Sequence, residues 1–482
     1  MNHPSAAAPR SRPRWPPWLL LLPIFLASRL AAYLAGLRFH ADLGRSWQVL
    51  DVPLLRNHLA QSLWYQHSQP PLYNLLLGLL LKTGAQPDGP LFQALWSLLG
   101  LSLGLATYAL LRAMRVVWRV SLLVAALLLI SPSSLIYEHW LFYDLPVALC
   151  AVLVPLTLWR ALGSGLRRDF ALFGASLVVL CLTRSLFHLA WLLGLSVLLL
   201  VPRLPHRRRL AWTLLVAVAL TSSVYLKNDF VFGKFAVSTW PGMNLARLTA
   251  RGVPLAERQA LAATGQISAV SVVGPFRPLA DYPKELATPG RFADIPALAQ
   301  PQKQDGRPNF NHIAYIGIAD AMAQDALVLL RLHPQVYALA HATAWLHYFR
   351  PASSYVELAP QRAVLGPYLT WWNRLVLGEC QDVFVFLLLG VVLALLAGVR
   401  LARAKGGLEP RERAVAWLML ATVLWVTLVG NLLETGENFR FRATIDPFLL
   451  VWLGMTWTAR PKLRSRRGLR LRRFLCQIAR QG

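Results

Sequence analysis

The chain has 482 residues, of which 56% are apolar and only 15% charged, and its mean hydropathy is +0.45. That balance excludes a soluble globular domain, whose water-facing surface needs more polar residues than this chain has. A net charge of +27 raises nucleic acid as a partner, but the lysines and arginines fall in short runs between apolar stretches and form no basic domain, so they read as topology signals in a membrane protein, with no nucleic acid bound.

The first apolar run, Trp15 to about Leu37, is longer than a signal-peptide core and lacks a small-residue cleavage site, so it reads as a retained first span. Further runs lie near 90–114, 117–136, 141–163, 169–184, 185–202, 209–226, 383–400, 413–433 and 443–459, which makes about ten transmembrane helices. Placing Arg10, Arg12 and Arg14 inside also puts Arg112/Arg115/Arg119, Arg160/Arg167/Arg168, Arg203/Arg207/Arg208/Arg209 and Arg400/Arg403/Lys405 inside. The tail, with nine basic residues from Arg460 to Arg480, falls on the same side, and both termini are then cytoplasmic. The run Pro71 to Lys82 is too short to cross and would invert every later loop, so it reads as a short or re-entrant half helix. The expected fold class is all-α and polytopic. Its parts are a transmembrane module over 1–226 with a first outer loop at 38–70, a large outer (periplasmic or lumenal) domain over 227–380, C-terminal spans over 381–459, and a basic cytoplasmic tail over 460–482.

The large outer segment is rich in Pro and Gly at 272-VVGPFRP-278 and 299-AQPQKQDGRPNFN-311, and helical spacing returns near 312–349. Cys150, Cys181, Cys380 and Cys476 are scattered, without metal spacing, so no disulfide framework and no zinc site is inferred. No repeat relates the two halves, which weighs against the inverted repeats of many transporters.

The informative polar residues lie at the outer ends of spans. In 47-WQVLDVPLLRNHLAQSLWYQHSQPPLYNLL-76, Asp51 precedes a helix whose Leu55, Leu59 and Leu63 share a face, as in a helix lying on the membrane surface. Asp51 suits both a helix N-cap and a general base, since a helix N-terminus keeps a carboxylate ionised. In 137-YEHWLFYDLP-146, Tyr137 and Asp144 share a face if the next span starts early; Glu138 and Asp144 are either solvated loop acids or site acids at an apolar boundary. Arg184 either snorkels to water or joins a site. In 434-ETGENFRFRATIDP-447, Arg440 and Arg442 beside Glu437 and Asn438 suit either a salt bridge or a bidentate phosphate clamp. Trp240, Tyr315, Trp345, Tyr348, Trp371 and Trp372 suit sugar stacking or interface anchoring.

Taken in order, the first-loop acid, its surface helix, the PPLYNLLL element at 70–77, the YDLP acid and the E-N-x-R-x-R motif resemble the GT-C superfamily of membrane glycosyltransferases. Its members include the protein O-mannosyltransferases and the lipid A aminoarabinose transferases, which use polyprenyl-phosphate sugars. The resemblance covers about the first 200 residues and the C-terminal motif. It implies a GT-C-like bundle and an inverting transfer of a hexosyl or pentosyl group to an acceptor hydroxyl on the outer face. Asp51 would be the general base and Asp42 the alternative, since the family usually carries Asp-Glu where this chain has Asp51-Val52. Asp144 would be the second site acid, with Glu138 helping it or binding a divalent cation; no metal ligand is assigned. Arg440 and Arg442, with Arg184 and Lys227, would hold the lipid phosphate beside Glu437 and Asn438. His67 would either contact the sugar or be idle. The implied partners are the polyprenyl-phosphate sugar, membrane lipids and a lipid, glycan or protein acceptor. The implied location is a bacterial inner (plasma) membrane, or the endoplasmic reticulum in a eukaryote. A transporter or flippase of a lipid-linked or polar solute is the alternative, and a catalytically inactive partner subunit a third reading.

Overall fold

A computed structural model describes residues 15–250, 252–287, 290–403 and 408–458. Arg10, Arg12, Arg14, Lys405, Cys476 and the basic tail lie outside the described residues.

The chain is an all-α integral membrane protein. After a short turn comes α1 (Leu21–Leu34), then the first-loop helices α2 (Val52–Asn57) and α3 (Leu59–Trp64), and the half-length α4 (Leu72–Lys82). The N-terminal bundle follows with α5 (Pro90–Ala113), α6 (Trp118–Ile130), α7 (Pro132–Glu138), α8 (Asp144–Ser164), α9 (Arg167–Thr183), α10 (Leu189–Leu200) and α11 (Arg207–Phe232). The outer segment folds into α12 (Pro241–Thr249), α13 (Leu255–Ala263), α14 (Ala269–Val273), α15 (Pro296–Ala299), α16 (Ala314–Leu332), α17 (Pro334–Tyr348), α18 (Ala359–Val364) and α19 (Gly366–Leu375). A two-stranded hairpin of β1 (Glu379–Cys380) and β2 (Val383–Phe384) leads into α20 (Val385–Arg403), α21 (Pro410–Leu433) and α22 (Asn438–Ala443). A last helix begins at 446 and reaches the edge of the described residues at 458.

Every one of the ten apolar runs contains helix, but among the described residues only six helices are long and apolar enough to cross a membrane. A seventh crossing requires α6 and α7 to act as one span bent by 55°. Ten full spans are therefore not confirmed among the described residues. α9 and α10 have 17 and 12 residues, because the segment around Arg184 breaks the apolar run between them.

The arginine runs meet at one end of the bundle. Arg115, between α5 and α6, pairs with Glu409 and Glu412 before and within α21, at 2.6 and 2.5 Å. Arg411 stacks on Trp159 of α8 at 4.5 Å. Arg209, at the start of α11, donates to the Gly165 carbonyl, and Gly165 ends α8 at φ +68°, a backbone angle that costs glycine little. Contacts among loops so far apart in sequence put these loops on one side, which is what the positive-inside pattern requires of them.

The main core joins α4, α5, α8, α9, α10, α20, α21 and the last helix, with Trp96 and Trp452 fully buried. The outer segment has a core of its own in which α12 packs on α16 around Trp240, Met243, Phe276, Phe310 and Tyr315. Trp240 and Tyr315 are thus core residues, unavailable for stacking on a sugar.

The first-loop helix is interrupted at His58, whose φ of −129° and ψ of 38° separate α2 from α3. Leu55 and Leu59 are buried, and Leu59 packs against Gly78 of α4. The apolar face therefore leans on protein, whereas the sequence suggested the membrane surface.

Candidate active site

Two consecutive residues of α4 hold both acid-bearing loops. Asn74 accepts a hydrogen bond from the Leu50 N–H at 2.9 Å and donates to the Gln48 carbonyl at 3.0 Å, which fixes the backbone next to Asp51. Tyr73 donates to the Leu141 carbonyl at 3.2 Å and packs edge-on against Tyr143, which fixes the backbone next to Asp144. The two loops also touch directly: His40 bridges Trp140, with His40 N–H to His139 O at 2.8 Å and Leu141 N–H to His40 O at 2.9 Å. The double proline at 70–71 immediately precedes α4, with Pro71 at its N-cap.

Asp144 is the first residue of α8 and only 3% exposed. Arg184 Nη1 lies 2.8 Å from Oδ1, while Arg440 Nε and Nη2 lie 3.0 and 2.9 Å from Oδ2. Arg440 also pairs with Glu437 at 2.5 Å, and Glu437 accepts from the Tyr355 hydroxyl at 3.1 Å. Burial alone would raise the Glu437 carboxyl, but Arg440 and Arg247 hold it below its ordinary value. Glu434 pairs with Arg247 of α12 at 2.9 Å, yet burial pushes its carboxyl up to about 7. Around Arg440 stand the rings of Tyr355, Phe142 and Trp140, at 4.4, 4.9 and 5.4 Å. Arg184 Nη2 has no hydrogen-bond partner, and Arg440 Nη2, though close to Asp144, lacks hydrogen-bond geometry toward it. A buried guanidinium N–H without a partner is an unsatisfied donor, and an anionic acceptor is the kind of group that would satisfy it.

This arrangement corrects three readings of the sequence. Arg184 is buried and paired, so it does not snorkel. Tyr137 ends α7 while Asp144 starts α8, so they share no helix face, although both line one groove. Arg440 and Arg442 point apart: Arg442 pairs with Asp446 at 3.0 Å and donates to the Tyr348 carbonyl, so the two do not form one clamp.

The groove lies between α5, α6, α8, α20 and the last helix. It holds about 330 Å³ and is walled mainly by apolar residues, with Asp144, Arg442 and Asp446 among its polar lining residues. Such a shape suits a molecule with an apolar body and a charged head.

The first-loop acids sit under a turn of the outer segment. Gln302 bridges Pro308, Lys303 N–H bonds the Arg307 carbonyl at 2.8 Å, and Gly306 turns the chain at φ +79°. From this turn Lys303 Nζ donates to the Gly44 and Ser46 carbonyls at 3.1 and 2.9 Å. Gln304 N–H donates to Asp51 at 3.0 Å, and Arg307 pairs with Asp42 at 2.5 Å. Asp51 occupies the N-cap of α2, but its side chain makes no capping bond. Burial raises its carboxyl above the ordinary value despite the Gln304 N–H and nearby Lys303. The Arg307 hydrogen bond holds the Asp42 carboxyl below its ordinary value. Burial pushes the Lys303 ammonium down to about 8.

The remaining candidates have other partners. Glu138 pairs with Arg29 of α1 at 2.5 Å and faces Gly100 of α5, away from Asp144. His67 is fully buried, its ring nitrogens engaged by Thr239 at 2.8 Å and the Asn311 carbonyl at 2.9 Å; burial lowers it to about 3. Asn438 donates to the Gly430 and Glu434 carbonyls at 3.1 and 3.0 Å and so braces the turn after α21. Lys227 donates to the Gln66 carbonyl at 2.8 Å. Among the described residues no group of three or more His, Cys, Asp or Glu is placed to hold a metal ion. Sequence reasoning missed Tyr355, Arg247 and Glu434 around the cluster and Lys303, Gln304 and Arg307 over the first loop. The unusual KQDGR run at 303–307 was the available signal for the second group.

No protein-family model matches the chain. No curated protein matches it. Among solved structures, it is similar to the archaeal oligosaccharyltransferase AglB from Archaeoglobus fulgidus in complex with an inhibitory peptide and a dolichol-phosphate, at 14% identity and a TM-score of 0.42, over 93% of this chain and 51% of that one. The chain thus spans about half the length of that protein, and a likeness at this level carries no functional argument.

Proposed function

We propose that the chain is a glycosyltransferase of the GT-C type that moves a sugar from a polyprenyl-phosphate carrier to an acceptor hydroxyl at the outer membrane face. The observation that carries this reading is the buried Asp144–Arg184–Arg440 cluster beside an apolar groove, with guanidinium N–H groups left unsatisfied. A carrier lipid needs a place for its chain in the hydrocarbon and cations for its phosphate nearby, and Asp144, which both arginines grip, lines the groove here.

In the proposed reaction Asp51 accepts the proton of the acceptor hydroxyl as that oxygen attacks the anomeric carbon. The new C–O bond forms as the bond from that carbon to the phosphate oxygen breaks, on the opposite face, so configuration inverts. The electron pair leaves with the polyprenyl phosphate, and Arg184 and Arg440 stabilise the growing charge. Asp144 keeps both guanidinium groups in position. Asp51 suits the base role better than Asp42, because burial makes its carboxylate more basic while Arg307 makes that of Asp42 less so. The proposed location is a bacterial inner membrane.

The test is transfer of label from radiolabelled polyprenyl-phosphate sugars, added one at a time to the protein in lipid with a membrane extract as acceptor. Wild type should transfer from at least one donor, and Asp51→Asn should reduce the rate by about 10²–10⁴-fold. Unchanged transfer by both Asp51→Asn and Asp42→Asn would remove the first loop from catalysis. A site reachable by cysteine-labelling reagents from both membrane sides in turn would instead support a transporter.

A further inference from the structure

A second cavity, of about 710 Å³, lies at the opposite end of the bundle between α9 and α11. Its walls include Ala171, Ala175 and Val179 of α9 and Val216 and Leu220 of α11, and its rim holds Arg167 and Arg209. Arg167 and Val179 are twelve residues apart on one helix, which corresponds to about 18 Å. That is close to half of the roughly 30 Å hydrocarbon thickness. The cleft therefore runs from headgroup level to about the middle of the membrane, the depth of a single leaflet.

The rim is strongly cationic. Arg167, Arg168, Arg207, Arg208 and Arg209 are all exposed there. Asp169 is the only acid between residues 145 and 228, and it is engaged by Arg160 at 2.9 Å and Ser164 at 2.5 Å. The bond from Arg209 to the Gly165 carbonyl holds that guanidinium at the mouth. Trp212, another lining residue, is 68% exposed, one turn inside the rim where an indole is favoured at the lipid–water boundary.

We propose that this cleft binds an anionic glycerophospholipid of the arginine-side leaflet, its phosphate on Arg167 and Arg209 and one acyl chain between α9 and α11. Charge complementarity selects an anionic headgroup, and the length of the cleft selects a lipid over free phosphate. A second copy packing on this face in the same membrane orientation would bring two arginine rims together, which like-charge repulsion opposes.

The experiment is native mass spectrometry of the full chain released from mixed phosphatidylglycerol and phosphatidylcholine bilayers. Each rim arginine is expected to favour the anionic lipid about fivefold. Wild type should therefore retain phosphatidylglycerol preferentially, and Arg167→Gln with Arg209→Gln should reduce the preference by about 25-fold. Ala175→Phe, which fills an exposed position of the cleft, should reduce retention of both lipids and leave the arginines in place. Equal retention of the two lipids by wild type would overturn the proposal even if the arginine variant fails to fold. Undiminished phosphatidylglycerol on Ala175→Phe, or a lipid-free dimer that this substitution disrupts, would overturn it as well.

Discussion

The two acid sites are built in opposite ways. Asp144 is nearly inaccessible and held by one arginine after α9 and another in α22, so its surroundings are fixed by the packed bundle. Asp42 and Asp51 are partly exposed and held by one turn of the outer segment, through Arg307 and the Gln304 N–H. In the proposed reaction this contrast has a use. The end that receives a leaving phosphate benefits from preorganised charge, while the end that admits the acceptor is covered by a turn that does not belong to the bundle.

The first way to break this comparison is to remove the central charge. Asp144→Ala leaves Arg184 and Arg440 buried without their shared carboxylate, and we expect a loss of stability of about 3–5 kcal/mol. Thermal unfolding in lipid or detergent would measure it, and a change below about 1 kcal/mol would mean the cluster is far better hydrated than its burial implies. Asp42→Ala should cost less by the same measurement, since its ion pair with Arg307 is only partly buried.

Arg440→Lys tests the leaving-group end. Lysine keeps the charge but not the fork that reaches Asp144 and Glu437 together, and transfer should fall by about 10²–10³-fold with binding of the acceptor little changed. An equal fall with Arg442→Lys would shift the phosphate to the groove side of the site, where Arg442 pairs with Asp446.

The pH profile separates the two first-loop acids. If Asp51 is the base, kcat/KM rises with pH through its raised pKa, since the carboxylate form is active. Arg307→Met removes the group that lowers the Asp42 pKa, so it should leave this limb in place; a limb that moves to higher pH would identify Asp42 as the base. Stability gives a separate sign. Because Asp42 is lowered in the folded chain, its ion pair contributes above the unfolded value of about 3.8 and is lost as pH falls through the lowered folded value.

How much of this was legible in sequence follows from the range of each interaction. Hydropathy is local, so each apolar run could be placed and the short α4 recognised from its length. The pairs that organise the site are not local. Arg184 and Arg440 stand 40 and 296 residues from Asp144, and nothing in their flanking residues announces that they meet. The E-N-x-R-x-R motif marked the segment that carries both arginines, but residues two apart on a short helix face opposite sides, which sends Arg440 and Arg442 to different partners. The first-loop helix was visible from Leu55, Leu59 and Leu63, whereas its packing on α4 depended on Gly78 leaving room for Leu59. The turn over Asp51 was visible only as a polar stretch, because its partners are the backbone carbonyls of Gly44 and Ser46.

Lys303→Met sharpens the contrast most gently. Lys303 is buried, and its ammonium serves two carbonyls of the first loop while lowering the Asp51 pKa through space. Methionine fills similar space without charge or donors, so the turn should loosen by about 1–3 kcal/mol locally, leaving the bundle intact. Hydrogen exchange should then quicken at residues 42–51 and 302–307 and remain unchanged in α8 and α21. Loss of the cation should also raise the Asp51 pKa further and move the rising limb of the pH profile to higher pH. Exchange that quickens equally around Asp144 would mean that the two sites are one cooperative unit and that the turn is part of the bundle's scaffold instead of a cover.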